Sequence, residues 1–290
     1  MSKKFILNAD DFGMSEAHNR AVSEGYDGGI LKSVSLVANG EAFDEAISKV
    51  LPSCPTLGVG VHLNIIEGNS LCQELSELTD QNGKFNQSYG SLLMKAYNPK
   101  DKIFLEQIET EFRAQIEKIQ KSGIEITHID SHVHTHAIPP IFSIVAKLAK
   151  EYGIKQIRTQ FEKPYLIPDP FLFLNKKYYI NLEKIALLDT FTYINKANIS
   201  KYELNTNDYL LGVGYTSMMT PLAISCGLSS LNGDNITVEA LIHPCRYEEG
   251  TIDNHFIEFQ ITKHAKLKEK IEQLGFEITN YRDLLSAHGD

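Results

Sequence analysis

Residues 124–136 read IEITHIDSHVHTH. The run Ile124–Ile129 is short, largely apolar and β-branched, as a buried strand requires. It follows Gly123, which closes a stretch (101–121) with Ile103, Phe104, Ile108, Phe112, Ile116 and Ile119 at helical spacing. The run ends in Asp130, Ser131 and His132, and a further helical pattern, Ile141–Tyr152, comes next. Helix, strand, polar strand end and helix form the repeating unit of a parallel sheet. In such sheets the residues that do chemistry gather at the carboxyl ends of the strands.

The same unit recurs outward from this stretch. Phe5–Leu7, Ser33–Val37, Leu57–Leu63, Gln156–Thr159, Leu210–Tyr215, Val238–Ile242 and Phe276–Thr279 read as strands. Ser15–Tyr26, Ala42–Val50 and Lys263–Leu274 read as helices, the first with Ser15 at its N-cap and Gly28-Gly29 just beyond its end. Seven or eight units predict a closed α/β (β/α) barrel of the TIM-barrel type, with the polar strand ends at one mouth. The chain reads as a single domain over 1–290, with insertions near 65–100 and 161–208 that shape a pocket. The first contains the turn-like Asp80-Gln81-Asn82-Gly83, and the second is rich in Pro, Tyr and Phe.

Composition narrows the class. Hydrophobic residues make up 42% and charged residues 22%, ordinary for a globular chain. A formal net charge of -9, without a Lys/Arg-rich run, argues against a nucleic-acid partner. No apolar run reaches membrane-spanning length, and the opening MSKKFILNADDFG does not read as a signal peptide. Cys54, Cys72, Cys226 and Cys245 form no CxxC pair and no disulfide framework. A cytoplasmic address without a membrane partner is expected. Neither a GxGxxG nor a P-loop occurs, so no nucleotide cofactor is indicated, and no GxSxG elbow points to a serine hydrolase.

The candidates for chemistry lie at the strand ends. Asp10-Asp11 follows the first strand; one carboxylate can bind a cation while the other stays free as a base, or both are solvated loop acids. His62 ends an apolar strand, where a lone histidine is more often a core residue. Asp130, His132, His134 and His136 would share one face if the strand continued, since side chains alternate, and would still cluster at one strand mouth if it ended near Ser131. Imidazole is the commonest metal ligand among side chains; the alternative is a histidine-rich loop with no ligand role. Arg158 either pins a carboxylate at the mouth or lies on the surface. His243-Pro244 ends a late strand, where proline stops the ladder. His18, His128, His255, His264 and His288 have no such context.

Taken together, NADDFGMS at 8–15, GVHLN at 60–64 with EG at 67–68, LTDQNGKF at 78–85, THIDSHVHTH at 127–136, IR at 157–158 and HP at 243–244 resemble the YdjC-like family. The resemblance spans most of the chain and implies a barrel-like carbohydrate deacetylase that removes the N-acetyl group of an amino sugar or short oligosaccharide. It implies a divalent ion, Mg2+ or Zn2+, held by Asp11, His62 and His132, with Asp10 as base and His243 as acid. Asp130, His134, His136 and Arg158 are then expected to orient the site or touch substrate, and the aromatics of 161–208 to stack on sugar. Cys245 and Arg246 stand where the family often has Gly and an aromatic. An N-acetylated sugar is the expected partner, and a homodimer is left open. The competing readings are an HxH-type metal-dependent amidohydrolase or phosphoesterase, disfavoured because the first strand ends in Asp-Asp, and a non-catalytic sugar-binding barrel.

Overall fold

The computed structural model describes residues 3–98 and 100–286. Seven strands form one sheet: β1 (Lys3–Phe12), β2 (Ser33–Leu36), β3 (Gly58–Leu63), β4 (Ile126–Ser131), β5 (Tyr209–Leu211), β6 (Thr237–Ile242) and β7 (Phe276–Thr279). They run in the order β4-β3-β2-β1-β6-β5, all parallel, and β7 pairs with the first half of β1. Because β6 occupies one edge of β1, β7 and β2 share the other, end to end. β2, β3 and β4 are buried along their whole length, as a parallel sheet covered on both faces demands.

The helices are α1 (Glu16–Tyr26), α2 (Phe43–Glu45, continuing as a π-helical turn to Val50), α3 (Tyr89–Ala96), α4 (Lys102–Lys121), α5 (Pro139–Glu151), α6 (Lys176–Lys201), α7 (Pro221–Ser229), α8 (Asn254–Ile261), α9 (Ala265–Gln273) and α10 (Tyr281–Ser286). α4 buries Phe104, Ile108, Phe112, Ile116 and Ile119, the stripe legible in its spacing. α6, 26 residues long, was not legible. It buries Tyr178, Ile185, Leu188 and Phe191 but exposes Tyr179, Ile180, Tyr193 and Ile194, so its apolar residues follow no single face. No helix among the described residues is long and apolar enough to cross a membrane.

The sheet curls into a half-barrel. The closed ring of seven or eight regular units, expected from the strand pattern, is not reproduced. Gln156–Thr159 makes only isolated bridges, Ile129 with Ile157 and Gln156 with Asn205. The run expected to reach Tyr215 as a strand stops at Leu211, because Gly212 takes φ +138 and Glu162 Oε2 accepts from the Val213 and Gly214 amides instead of a neighbouring strand. The gap between β4 and β5 is spanned by a few main-chain bonds, among them Ile129 N to Gln156 O at 3.0 Å, Arg158 N to Ile129 O at 2.9 Å and Leu210 N to Phe161 O at 2.8 Å.

One close approach fixes the β3–β4 face. A Cβ on Gly60 would stand 2.4 Å from His128 Cε1 and Nε2. His128 is fully buried, bonded to Thr127 and Ser35 and stacked on Tyr281 with ring centroids 4.1 Å apart. It has no room to withdraw. Gly60→Ala should therefore lower stability by about 1–3 kcal/mol, the cost of overpacking a filled core, read as a shift in the urea midpoint. An unchanged midpoint would show that the ring moves freely.

Candidate metal centre

The site begins with a β-bulge. Ala9 pairs with Val34 and Phe12 with Leu36, so β1 carries one residue more than β2 across this interval. Asp10 and Asp11 sit in it, and Asp11 adopts a left-handed φ of 62. A non-glycine residue there is strained, and such outliers cluster at functional sites. The bulge lets neighbouring carboxylates serve different partners at one mouth. Asp10 Oδ2 and Oδ1 each accept from Arg158, at 2.7 Å, and Asp10 Oδ1 also accepts from Asn8 Nδ2 at 2.8 Å. Asp11 Oδ1 faces His132 Nδ1 at 2.8 Å and His62 Nε2 at 3.3 Å.

His62 reaches the mouth from β3, and Asp130 from β4 beside it, with His62 Nδ1 2.7 Å from Asp130 Oδ1. Asp11, His62 and His132 each offer a ligand atom within 4.8 Å of the others. One carboxylate oxygen and two imidazole nitrogens in a buried group fit a zinc-like ion, and a magnesium ion completed by water. Asp10, His62 and Asp130 form a second group within the same limit, but Arg158 already stands against both its carboxylates, at 2.7 Å from each. The cation that this second group needs is therefore the guanidinium.

The strand does not persist past Ser131. His132–Ala137 is a 3-10-type turn in which Val133 and His134 take φ 53 and φ 57. Of the two arrangements the sequence allowed, the one in which the strand ends at Ser131 holds, so Asp130, His132, His134 and His136 share no strand face and each goes its own way. His132 joins Asp11. His136 is fully buried, its Nδ1 against Ser131 Oγ and its Nε2 3.0 Å from the Arg158 carbonyl. His134 lines a cavity next to His132, and its Nδ1 has no hydrogen-bond partner.

Charge follows the geometry. Burial would raise the Asp10 and Asp11 carboxyls, but Arg158 on one and the two histidines on the other outweigh it, and both lie below the ordinary value of 3.8. Burial works against a charged His62, yet Asp130 and Asp11 push it up to about 10. His132 is raised in the same way, by Asp11 and Glu67 against burial. Burial, with Arg158 nearby, holds His134 well below 6.5 and neutral. His243 is pushed up to about 9, burial being overcome by Glu258, whose Oε2 lies 3.5 Å from its Nδ1.

A cavity of about 300 Å³ opens on this group, at the small end of ligand pockets. It is lined by Asp10, His132, His134 and His243 together with Tyr89, Lys184, Leu187 and Val213. The 161–208 segment does contribute, but through Lys184 and the leucines of α6. Its aromatics do not stack over the mouth as expected: Tyr165 and Tyr178 pack on Tyr215, and Phe171 and Tyr193 face solvent. A larger open hollow along residues 69–83 contains none of the groups above. Sequence reasoning missed Glu67, Glu258, Glu239 and Lys184. Single acids and lysines carry no spacing signal; only Glu67 stood inside a quoted motif. Of the histidines left without context, His255 backs His243 through Nδ1 to its carbonyl at 2.8 Å, and His288 lies outside the described residues.

Fold and centre together define a parallel α/β protein with a carboxylate–histidine group at the strand carboxyl ends that could hold a metal ion. A family model described as YdjC-like protein matches residues 4–273, and the chain belongs to that family. A Listeria innocua protein named carbohydrate deacetylase 1 is 30% identical over 97% of this chain and 100% of its own length. A Brevibacillus brevis protein named carbohydrate deacetylase is 40% identical over 52% of this chain, a match that spans 57% of that relative. A crystal structure from Enterococcus faecalis V583, of a protein described in terms of cellobiose-phosphate cleavage, superposes with a TM-score of 0.74 at 24% identity over 98% of this chain and 99% of that one. That likeness establishes the shared fold.

The centre rests on a fully buried guanidinium. Arg158 holds Asp10, Asp130 and Glu239, the last through Nε to Oε1 at 2.9 Å. Arg158→Met should cost about 3–5 kcal/mol in chemical unfolding, because removing one partner leaves buried carboxylates without their counter-charge. A change below about 1 kcal/mol, the scale of exposed pairs, would contradict this reading.

Proposed function

We propose that this chain is a metal-dependent carbohydrate deacetylase that hydrolyses the N-acetyl group of an amino sugar or short oligosaccharide and releases acetate. The observation that carries the reading is the convergence of Asp11, His62 and His132 in one group, with Asp10 and His243 on the same small cavity. The names of the relatives from Listeria innocua and Brevibacillus brevis support the substrate class.

Asp11, His62 and His132 would hold the divalent ion, either Mg2+ or Zn2+. When bound, such an ion polarises a carbonyl oxygen and lowers the pKa of water to about 7. Asp10 is the base in this scheme. Arg158 and Asn8 keep it ionised and aimed, and it takes the proton that water loses as the water oxygen adds to the acetyl carbon. His243 is the acid: Glu258 keeps it protonated well above the ordinary imidazole range. Water adds its oxygen to the acetyl carbon, the carbon–nitrogen bond breaks, and His243 delivers the proton to the departing amine. His134, neutral and lining the cavity, suits a packing contact with the sugar, its Nδ1 being buried behind that wall without a partner. Asp130 and His136 orient the machinery, the first through His62 and the second through the Arg158 backbone. A non-catalytic sugar-binding role would need neither the Asp10–Arg158 clamp nor the His243–Glu258 pair.

Acetate release from N-acetylated mono- and oligosaccharides, with Mg2+ or Zn2+ added, tests the reading. Asp10→Asn and His243→Ala should each lose about 10²–10⁴-fold in turnover while retaining the ion, whereas His62→Ala should lose the ion as well. Activity should fall as pH rises past the His243 pKa, because the acid form is the one below it. Near-wild-type turnover in Asp10→Asn would overturn the assignment, and no acetate from any N-acetyl sugar would overturn the function.

A further inference from the structure

A histidine can offer an ion only one ring nitrogen at a time, so the partner of the other nitrogen fixes tautomer and ring orientation. At His62, Nε2 faces Asp11 at 3.3 Å and Nδ1 faces Asp130 at 2.7 Å. At His132 the nitrogens are exchanged: Nδ1 faces Asp11 at 2.8 Å, and Nε2 faces Glu67 Oε2 at 3.4 Å. The two rings meet edge to face, with centroids 5.9 Å apart. Each imidazole thus lies between the shared Asp11 oxygen and a private carboxylate of its own.

We propose that Glu67 is the positioning residue of His132, the counterpart of Asp130 at His62, and that it sets the affinity of this centre for divalent ions. The proposal rests on the reading that Asp11, His62 and His132 hold such an ion.

The loop that carries Glu67 is built to keep it there. Asn64, fully buried at the end of β3, accepts from the Ile66 and Glu67 amides through Oδ1 at 3.0 and 3.1 Å and donates through Nδ2 to the Glu67 carbonyl at 2.7 Å. Asn39 Nδ2 donates to the Asn69 carbonyl at 2.9 Å, closing the loop from the other side. Gly68, at φ +78, supplies the left-handed turn between them. The backbone at 64–69 is therefore fixed while the Glu67 side chain reaches over the lip, 65% exposed, to His132. The partner of the deeper histidine, Asp130, is fully buried. This asymmetry makes Glu67 the weaker of the pair and the one solvent reaches. Its side chain can be altered without disturbing the fold, since the loop is held by the Glu67 main chain.

Zinc titration of the full ion-free chain against a chelating indicator tests the proposal, with Glu67→Ala, Glu67→Gln and the wild type compared. Glu67→Ala should weaken zinc binding by about 10-fold, the low end of the 10–100-fold range for such partners. Glu67→Gln keeps an acceptor oxygen for the ring N–H and should fall between wild type and alanine. Thermal unfolding of the ion-free variants should match the wild type. Equal zinc affinity in all three proteins would overturn the proposal. So would a loss far beyond 100-fold in both variants, which would make Glu67 a ligand rather than a positioning group. A wild type that binds no zinc or magnesium would overturn the ion-binding reading itself, a result distinct from either of these.

Discussion

A single buried guanidinium decides where everything else can stand. Arg158 lies in the interior of the half-barrel, wholly screened from water, with carboxylates from β1, β4 and β6 around it. Isolated buried charge is strongly unfavourable, and several acids crowded together would repel one another and take up protons. With the cation between them, Asp10 and Asp130 stay ionised, and each is left with a defined direction. Asp130 then faces His62, which in turn faces Asp11, which meets His132. The group formed by Asp11, His62 and His132 is the outer end of a chain of contacts whose inner end is Arg158. The arginine is itself held by its backbone: its amide bonds to Ile129 and its carbonyl to His136.

Backbone strain is concentrated at the same mouth. Asp11, Val133 and His134 all have left-handed φ values, and for a β-branched residue such as Val133 that conformation is costly. Each strained residue re-aims a side chain that regular strand geometry would misdirect. The bulge at Asp10-Asp11 allows one carboxylate to serve the arginine and the next to serve the histidines. The turn after Ser131 lifts His132 onto Asp11 and tucks His136 beneath it. The surrounding contacts, notably Ser131 Oγ on the His136 amide at 2.9 Å, hold the turn in place. This is the expected relation between stored strain and preorganised chemistry.

Much of this was legible in the sequence. The short apolar runs located all seven strands, because buried parallel strands are hydrophobic on both faces, although β1 was found only in its middle and the run at β5 overshot its end. They also added an eighth at 156–159 that makes only isolated bridges. Strand-end Asp and His residues distant in sequence could be placed at one mouth on topology alone. What stayed hidden has physical causes. A bulge and a left-handed pair leave no periodic trace, so the alternation assumed for residues 130–136 failed at Val133. α6 lacks a single apolar face, so periodicity could not reveal it, and the aromatic-rich segment around it suggested stacking where the structure packs Tyr165 and Tyr178 inward. Gly212 and the Glu162 carboxylate end β5 early, and residues 156–159 make only isolated bridges, where the sequence pattern suggested full strands of a closed ring. Glu67 and Glu258 act through histidines that were identified, but an isolated acid in a loop or helix gives no signal until its neighbour in space is known.

The central claim is that Asp11, His62 and His132 together form one divalent-ion site. Anomalous scattering from crystals of the zinc-loaded protein addresses it directly. A single strong peak is expected at bonding distance, about 2.0–2.3 Å, from those three side chains, with Asp10 and His243 nearby but farther off than that. A peak elsewhere on the protein, with the three side chains still bonded only to one another, would contradict it.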